Sequence, residues 1–167
     1  YDDINVAINI SAIQLLKPNF SSRLFELMRE MQINPKNIDI EITESVFASD
    51  FEKINNIIEK LRDAGLRISI DDFGTGYSSL ARQRELTIDC LKIDKFFIDK
   101  LLDTDVREAI TSDIISMSHK LGHYTVAEGV EYESQLQYLR EHGCDMIQGY
   151  LISKPLNEND ALEFLKK

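Results

Sequence analysis

Acidic and amide side chains recur where β-branched runs stop. Asn9 and Ser11 end the run Ile4–Ile10, Glu41 and Glu44 end Ile38–Thr43, and Asp71-Asp72 follow Arg67–Ile70. Lys92 and Asp94 end Cys90–Ile93, Glu128 and Glu131 follow Tyr124–Ala127, and Gln148 closes Asp145–Gln148. Any one of these carboxylates is well explained as a solvated or helix-capping group. Their repetition at successive strand ends matters if the fold gathers those ends at one rim. Facing carboxylates repel, and either raised pKa values or a bound cation must relieve them. Carboxylates plus one Asn carbonyl form an all-oxygen donor set, which selects Mg²⁺, Mn²⁺ or Ca²⁺ over zinc.

Adjacent carboxylates at a strand end leave it on different vectors. One could therefore bridge two metals while the other completes a second site, and metals about 3.5–4 Å apart are a recurrent device for in-line displacement at phosphorus. Lys92, between Leu91 and Ile93, has two readings: a salt bridge to a neighbouring carboxylate, or a donor to a phosphate oxygen or metal-bound water. The segment Phe73-Gly74-Thr75-Gly76-Tyr77-Ser78-Ser79-Leu80 permits tight backbone turns before a helix, which suits phosphates and equally suits an ordinary strand-to-helix turn. It lacks the spacing of phosphate-loop and dinucleotide motifs. His119, His123 and His142 lie on or beside helices, away from these strand ends, so histidine acid–base catalysis is disfavoured.

The elements that must position these groups are short strands alternating with helices. Phe20, Leu24, Leu27, Met28 and Met31 recur at helical spacing until Asn34-Pro35. A second helix starts after Asp50 as N-cap, carries Phe51, Ile54, Ile57, Ile58 and Leu61 on one face, and ends at Gly65. A third carries Val106, Ile110, Ile114, Met117 and Leu121 and closes at Gly122, and shorter helices are expected over Ser79–Glu85, Ser134–Glu141 and Glu158–Lys166.

Six strand-then-helix units point to a parallel sheet, either a doubly wound open sheet or a β/α barrel. Strands of an open parallel sheet tend to be apolar on both faces. Here Ile38, Ile40 and Ile42 oppose Asp39, Glu41 and Thr43, and Ile4, Val6, Ile8 and Ile10 oppose Asn5, Ala7, Asn9 and Ser11. That alternation suits a TIM-type (β/α)8 barrel, apolar outward against helices and polar inward near the C-terminal mouth. A full barrel has eight strands and at least about 200 residues. The expectation is therefore an incomplete barrel, one domain over 1–167 with the first two strands missing and two open sheet edges.

Bulk composition limits the options further. The net charge of −10 argues against a nucleic acid polymer as partner, though a bound cation could reverse the local field for a small anion. Cys90 and Cys144 belong to no ligand cluster and read as buried thiols of a reducing compartment. No apolar run approaches the ~20 residues of a membrane span, and Tyr1-Asp2-Asp3 is no basic leader. A cytoplasmic location without membrane contact is expected for these residues.

Six pieces together resemble the EAL domains that hydrolyse cyclic di-GMP: Asn9-Ile-Ser11, Glu41-Ile-Thr43-Glu44, Asp71 through Leu80, Leu91-Lys92-Ile-Asp94, Ala127-Glu128-Gly-Val-Glu131, and Gln148-Gly-Tyr150 with Lys154-Pro155. The resemblance implies that Asn9, Glu41 and Asp71 hold a first Mg²⁺ or Mn²⁺ and Asp72 a second. Glu128 and Glu131 resemble a pair that binds or orients metal and water, with Glu128 also a general base. Lys92 resembles a lysine that positions the attacking water. Glu44 would anchor the loop containing Gly74 and Gly76, which also serves dimerisation, and Gln148 would contact the far side of the site. The implied reaction converts cyclic di-GMP to linear pGpG, in a homodimer whose parent protein can carry sensor, GGDEF or membrane domains.

The Glu-Ala-Leu signature of that family does not occur in these residues. In the family its glutamate is a metal ligand and a nearby arginine contacts substrate. The fragment alone is therefore expected to bind metal poorly and to be inactive. Two other readings stand beside hydrolysis: a non-catalytic cyclic di-GMP receptor or dimerisation module, and a barrel aldolase using Lys92 as a Schiff-base nucleophile.

Overall fold

The computed structural model describes residues 4–48, 50–73, 85, 87–103 and 110–166. Six strands, β1 (Val6–Asn9), β2 (Ile38–Thr43), β3 (Arg67–Phe73), β4 (Cys90–Ile93), β5 (Tyr124–Glu128) and β6 (Met146–Gln148), pair in sequence order, every neighbour parallel. They curl into a half-barrel, an incomplete TIM-type barrel. The described helices are α1 (Ala12–Leu15), α2 (Phe20–Glu30), α3 (Phe51–Asp63), α4 (Lys95–Asp103), α5 (Thr111–Lys120), α6 (Glu133–Glu141) and α7 (Glu158–Phe164).

Alternation along β2 decides its faces. Ile40 and Ile42 are buried against the helices, while Glu41 shares the opposite face with Asn9 of β1, its register partner. Helix α3 meets them with Ile54, Ile58 and Leu61, one turn apart and fully buried. Burying each such side chain contributes roughly 1.5–3 kcal/mol. Asp50 caps α3 as its spacing predicts, accepting from the Lys53 amide at 3.3 Å. Gly65, at φ +98°, ends the helix in a conformation that side chains resist.

Strand β3 runs past Ile70 through both aspartates, with a register shift against β4 between Ile70 and Phe73. Asp72 there adopts φ +56°, and Asp71 Oδ1 accepts the Asp72 amide at 3.0 Å. Polar pins fix the opposite ends of the strands. Arg62 grips Asp89 through Nε and Nη2, and Asp89 also accepts the Ile68 amide at the start of β3. At the start of β5, Asp145 Oδ2 lies 2.8 Å from His119 Nε2 and accepts from Thr125 through its amide at 2.7 Å and its hydroxyl at 2.8 Å.

Helices α1 and α4 are additional to those expected from the sequence. Ser11, expected among the polar strand-end residues, instead caps α1 in a reciprocal capping box with Gln14. Most of the expected helix Ser79–Glu85 and the Val106 end of the third stripe lie outside the described residues. β1 and β6 form the two edges of the sheet: on β1, Val6 is 53% and Ile8 37% exposed, so its outward apolar face is only partly covered, and Met146 of β6 is 47% exposed.

Candidate active site

The C-terminal ends of β1 to β5 converge on Lys92. Its Nζ lies 2.6 Å from Glu41 Oε1, 2.6 Å from Glu128 Oε1 and 3.5 Å from Asp71 Oδ1, and the residue is only 5% exposed. Asn9 completes the ring by donating Nδ2 to Glu41 Oε2 at 3.2 Å. Five side chains from five consecutive strands thus meet because parallel register sets Asn9 beside Glu41, with Thr43 beside Asp71 and Lys92 beside Val126, two residues before Glu128 on the same face. A buried ammonium is expensive to desolvate unless its bonds are short and charged, which two 2.6 Å contacts provide.

Three carboxylates face this single cation, and the imbalance shows in their electrostatics. Burial raises the Glu128 pKa, Lys92 opposes that, and Asp71 adds to it. Burial likewise raises Asp72, reinforced by the charges of Asp71 and Asp94. For Lys92 burial acts downward, yet the hydrogen bonds it donates to Glu128 and Glu41 overcome it and hold the amine protonated. Among the described residues no three His, Cys, Asp or Glu side chains are spaced as a metal site; the Lys92 ammonium stands between Glu41 and Glu128. The donor chemistry fits a hard divalent cation nonetheless, since every group in the ring other than Lys92 offers oxygen and the excess charge is negative.

The remaining sequence candidates lie around this ring. Glu44 is 7% exposed and opens a 3₁₀ turn, Glu44–Ala48, directly after β2. Gly74 and Gly76, whose loop it was expected to anchor, lie outside the described residues. Gln148 ends β6 as the register partner of Glu128 and is exposed. Glu131 is held elsewhere: its Oε1 lies 3.0 Å from Lys95 Nζ. The histidines keep their distance, His119 on α5, His123 buried just before β5 and His142 stacked on Tyr138. Cys90 is buried, its thiol pushed up to about 12 mainly by desolvation, which leaves it inert. Lys95 was not singled out in the sequence; the signal that could have found it is its position three residues after Lys92, matching the step from Glu128 to Glu131.

A parallel β/α half-barrel with an acid-rich, lysine-centred cluster at the C-terminal strand ends defines the class: a β/α barrel domain with a polar, charged mouth. The family model for the EAL domain matches residues 1–155, and the chain belongs to that family. It is 37% identical over 166 residues to the cyclic di-GMP phosphodiesterase NbdA of Pseudomonas aeruginosa, covering 99% of this chain and 21% of that protein. The MucR phosphodiesterase of the same organism, solved as a cyclic di-GMP complex, superposes with a TM-score of 0.88 at 36% identity, over 94% of this chain and 64% of the other. BlrP1 of Klebsiella pneumoniae, solved with manganese and cyclic di-GMP, gives a TM-score of 0.81 at 29% identity, over 90% of this chain and 39% of the other. The chain spans roughly a fifth of the length of the first curated relatives it matches. No helix among the described residues is long and apolar enough to cross a membrane.

Proposed function

We propose that residues 1–167 form a single EAL-type domain whose parent protein hydrolyses cyclic di-GMP to linear pGpG with Mg²⁺ or Mn²⁺. The observation that carries this reading is Lys92, buried among Glu41, Asp71 and Glu128 with Asn9 bonded to Glu41. In it, Asn9, Glu41 and Asp71 hold one cation and Asp72 a second. Bound divalent cations would polarise the phosphodiester and ease ionisation of the attacking water.

The chain's own groups do the rest. Glu128, its pKa raised by burial, is suited to accept a proton from that water. Lys92, held protonated, orients the water and stabilises charge on phosphate oxygen. A protonated lysine ringed by carboxylates is a poor Schiff-base nucleophile, which weighs against an aldolase. Glu44 supports the Gly74–Gly76 loop, which also serves a homodimer, and Gln148 contacts the far side of the ligand. The domain works in the cytoplasm, alone or behind membrane or sensor domains.

Residues 1–167 lack the Glu-Ala-Leu glutamate, so the isolated fragment is expected to be inactive. The test is manganese-dependent conversion of cyclic di-GMP to pGpG by the full-length protein, the fragment and a full-length Asp71→Asn variant. Activity is expected in the first alone. Tight binding without turnover by the full-length protein would favour the receptor reading, and vigorous hydrolysis by the fragment would contradict the role given to the absent glutamate.

A further inference from the structure

The geometry points to Lys95 as a positioning residue that holds the turn after β5 and, through it, Glu128; the inference rests on the hydrolytic reading above. Lys95 is the first residue of α4, and its Nζ reaches three groups: Asp99 Oδ1 at 2.8 Å, Glu131 Oε1 at 3.0 Å and the Gly129 carbonyl at 3.4 Å. Its stem lies across Gly129, where a Cβ would fall 2.5 to 2.8 Å from the Lys95 Cγ, Cδ and Cβ. Gly129 also sits at φ +69°, so two separate constraints keep that position free of a side chain.

The result is a register of charges. Lys92 and Lys95, three residues apart at the end of β4 and the start of α4, face Glu128 and Glu131, three residues apart at the end of β5 and beyond it. Lys92 takes Glu128 at 2.6 Å and Lys95 takes Glu131 at 3.0 Å. The left-handed Gly129 between the glutamates turns their carboxylates toward different lysines. Lys95 thereby keeps the Glu131 charge occupied outside a cluster where three carboxylates already face one ammonium, and fixes the peptide that leads away from Glu128. A neutral link ties the same turn to α4: buried Gln135 accepts from the Glu131 amide at 2.8 Å and donates to the Ile98 carbonyl at 3.1 Å. This second link does not pass through Lys95, so it anchors the helix side of the turn while the Gly129 side depends on the lysine.

The experiment compares Lys95→Met, Lys95→Arg and the double variant Lys95→Met/Glu131→Gln in the full-length protein, by steady-state kinetics with cyclic di-GMP and Mn²⁺ and by hydrogen-exchange mass spectrometry. For Lys95→Met, exchange across 129–132 is expected to quicken at least about tenfold while β2 and β3 stay protected. The expected kcat falls roughly 10- to 100-fold, the range for loss of a residue that orients a first-rank group, with KM within about threefold. Lys95→Arg is expected to restore most of kcat, and the double variant to be no worse than Lys95→Met, because the pair acts as one unit. Unchanged exchange at 129–132, or quickened exchange with an unchanged kcat, overturns the proposal. If the unsubstituted protein shows no hydrolysis, the hydrolytic reading falls and takes the role in turnover with it, while the exchange data still decide whether Lys95 holds the turn.

Discussion

The Nζ of Lys92 lies 2.6 Å from Oε1 of Glu128, so a cation from β4 and a carboxylate from β5 share a charge-assisted hydrogen bond at the buried mouth of the half-barrel. Glu41 makes the matching contact from β2. Lys92→Met removes the cation and leaves Glu41, Asp71 and Glu128 facing one another. Breaking a buried pair from one side costs about 3–5 kcal/mol. Urea unfolding should show that loss at neutral pH, and added Mn²⁺ should recover part of it while hydrolysis by the full-length protein stays abolished.

Asp72 sits at φ +56° beside the β3 irregularity. The left-handed region costs a residue with a Cβ roughly 1–2 kcal/mol, so Asp72→Gly should be more stable than Asp72→Ala by about 1 kcal/mol in thermal or chemical unfolding. Both variants lack the carboxylate and should be equally inactive. Equal stability of the two would show that the backbone strain is absent.

Gly149 carries a different constraint. A Cβ there would collide with the Val130 carbonyl and amide, both of which are engaged in the chain crossing: Val130 donates to the Gln148 carbonyl and accepts from the Leu151 amide. Backbone cannot step aside as a side-chain tip does, so Gly149→Ala should destabilise by about 1–3 kcal/mol. At Gly143, φ +76° with open space around the site, alanine should cost only about 1 kcal/mol, the conformational part alone. Guanidinium melts of the two variants check the ranking.

Asp145 sets an acid limit. Burial acts to raise its pKa, but the bonds from His119 and Thr125 outweigh that and leave it depressed. A depressed carboxylate contributes stability that is fully present above its unfolded value of about 3.9 and fades as pH falls through the lower folded value. Asp145→Asn should therefore be less stable than the parent sequence at pH 6, with the gap closing below about pH 4. A gap that persists undiminished to pH 3 would show that the carboxylate charge is not what matters.

Strand alternation made the barrel legible: Ile40 and Ile42 against Asp39 and Glu41 could serve only a sheet with a helix-covered face and a polar one. The strand-end carboxylates were legible as a set, because β2, β3 and β5 were placed to within a few residues. Helix α4 was not, since its apolar residues Phe97, Ile98 and Leu101 follow the strand so closely that no separate helical stripe was read there and Lys95 went unremarked. The division of Glu128 and Glu131 between two lysines was equally hidden. It depends on the left-handed turn at Gly129 and on which way each side chain leaves it, and residue spacing carries neither.

In the proposed function, Asn9, Glu41, Asp71 and Asp72 would hold divalent cations at the barrel mouth. Crystals of the full-length protein grown with Mn²⁺ and recorded at the manganese absorption edge test it directly. Anomalous peaks within coordinating distance of those four side chains are the expected result; peaks confined to other surfaces, or none at the Lys92 cluster, would contradict it.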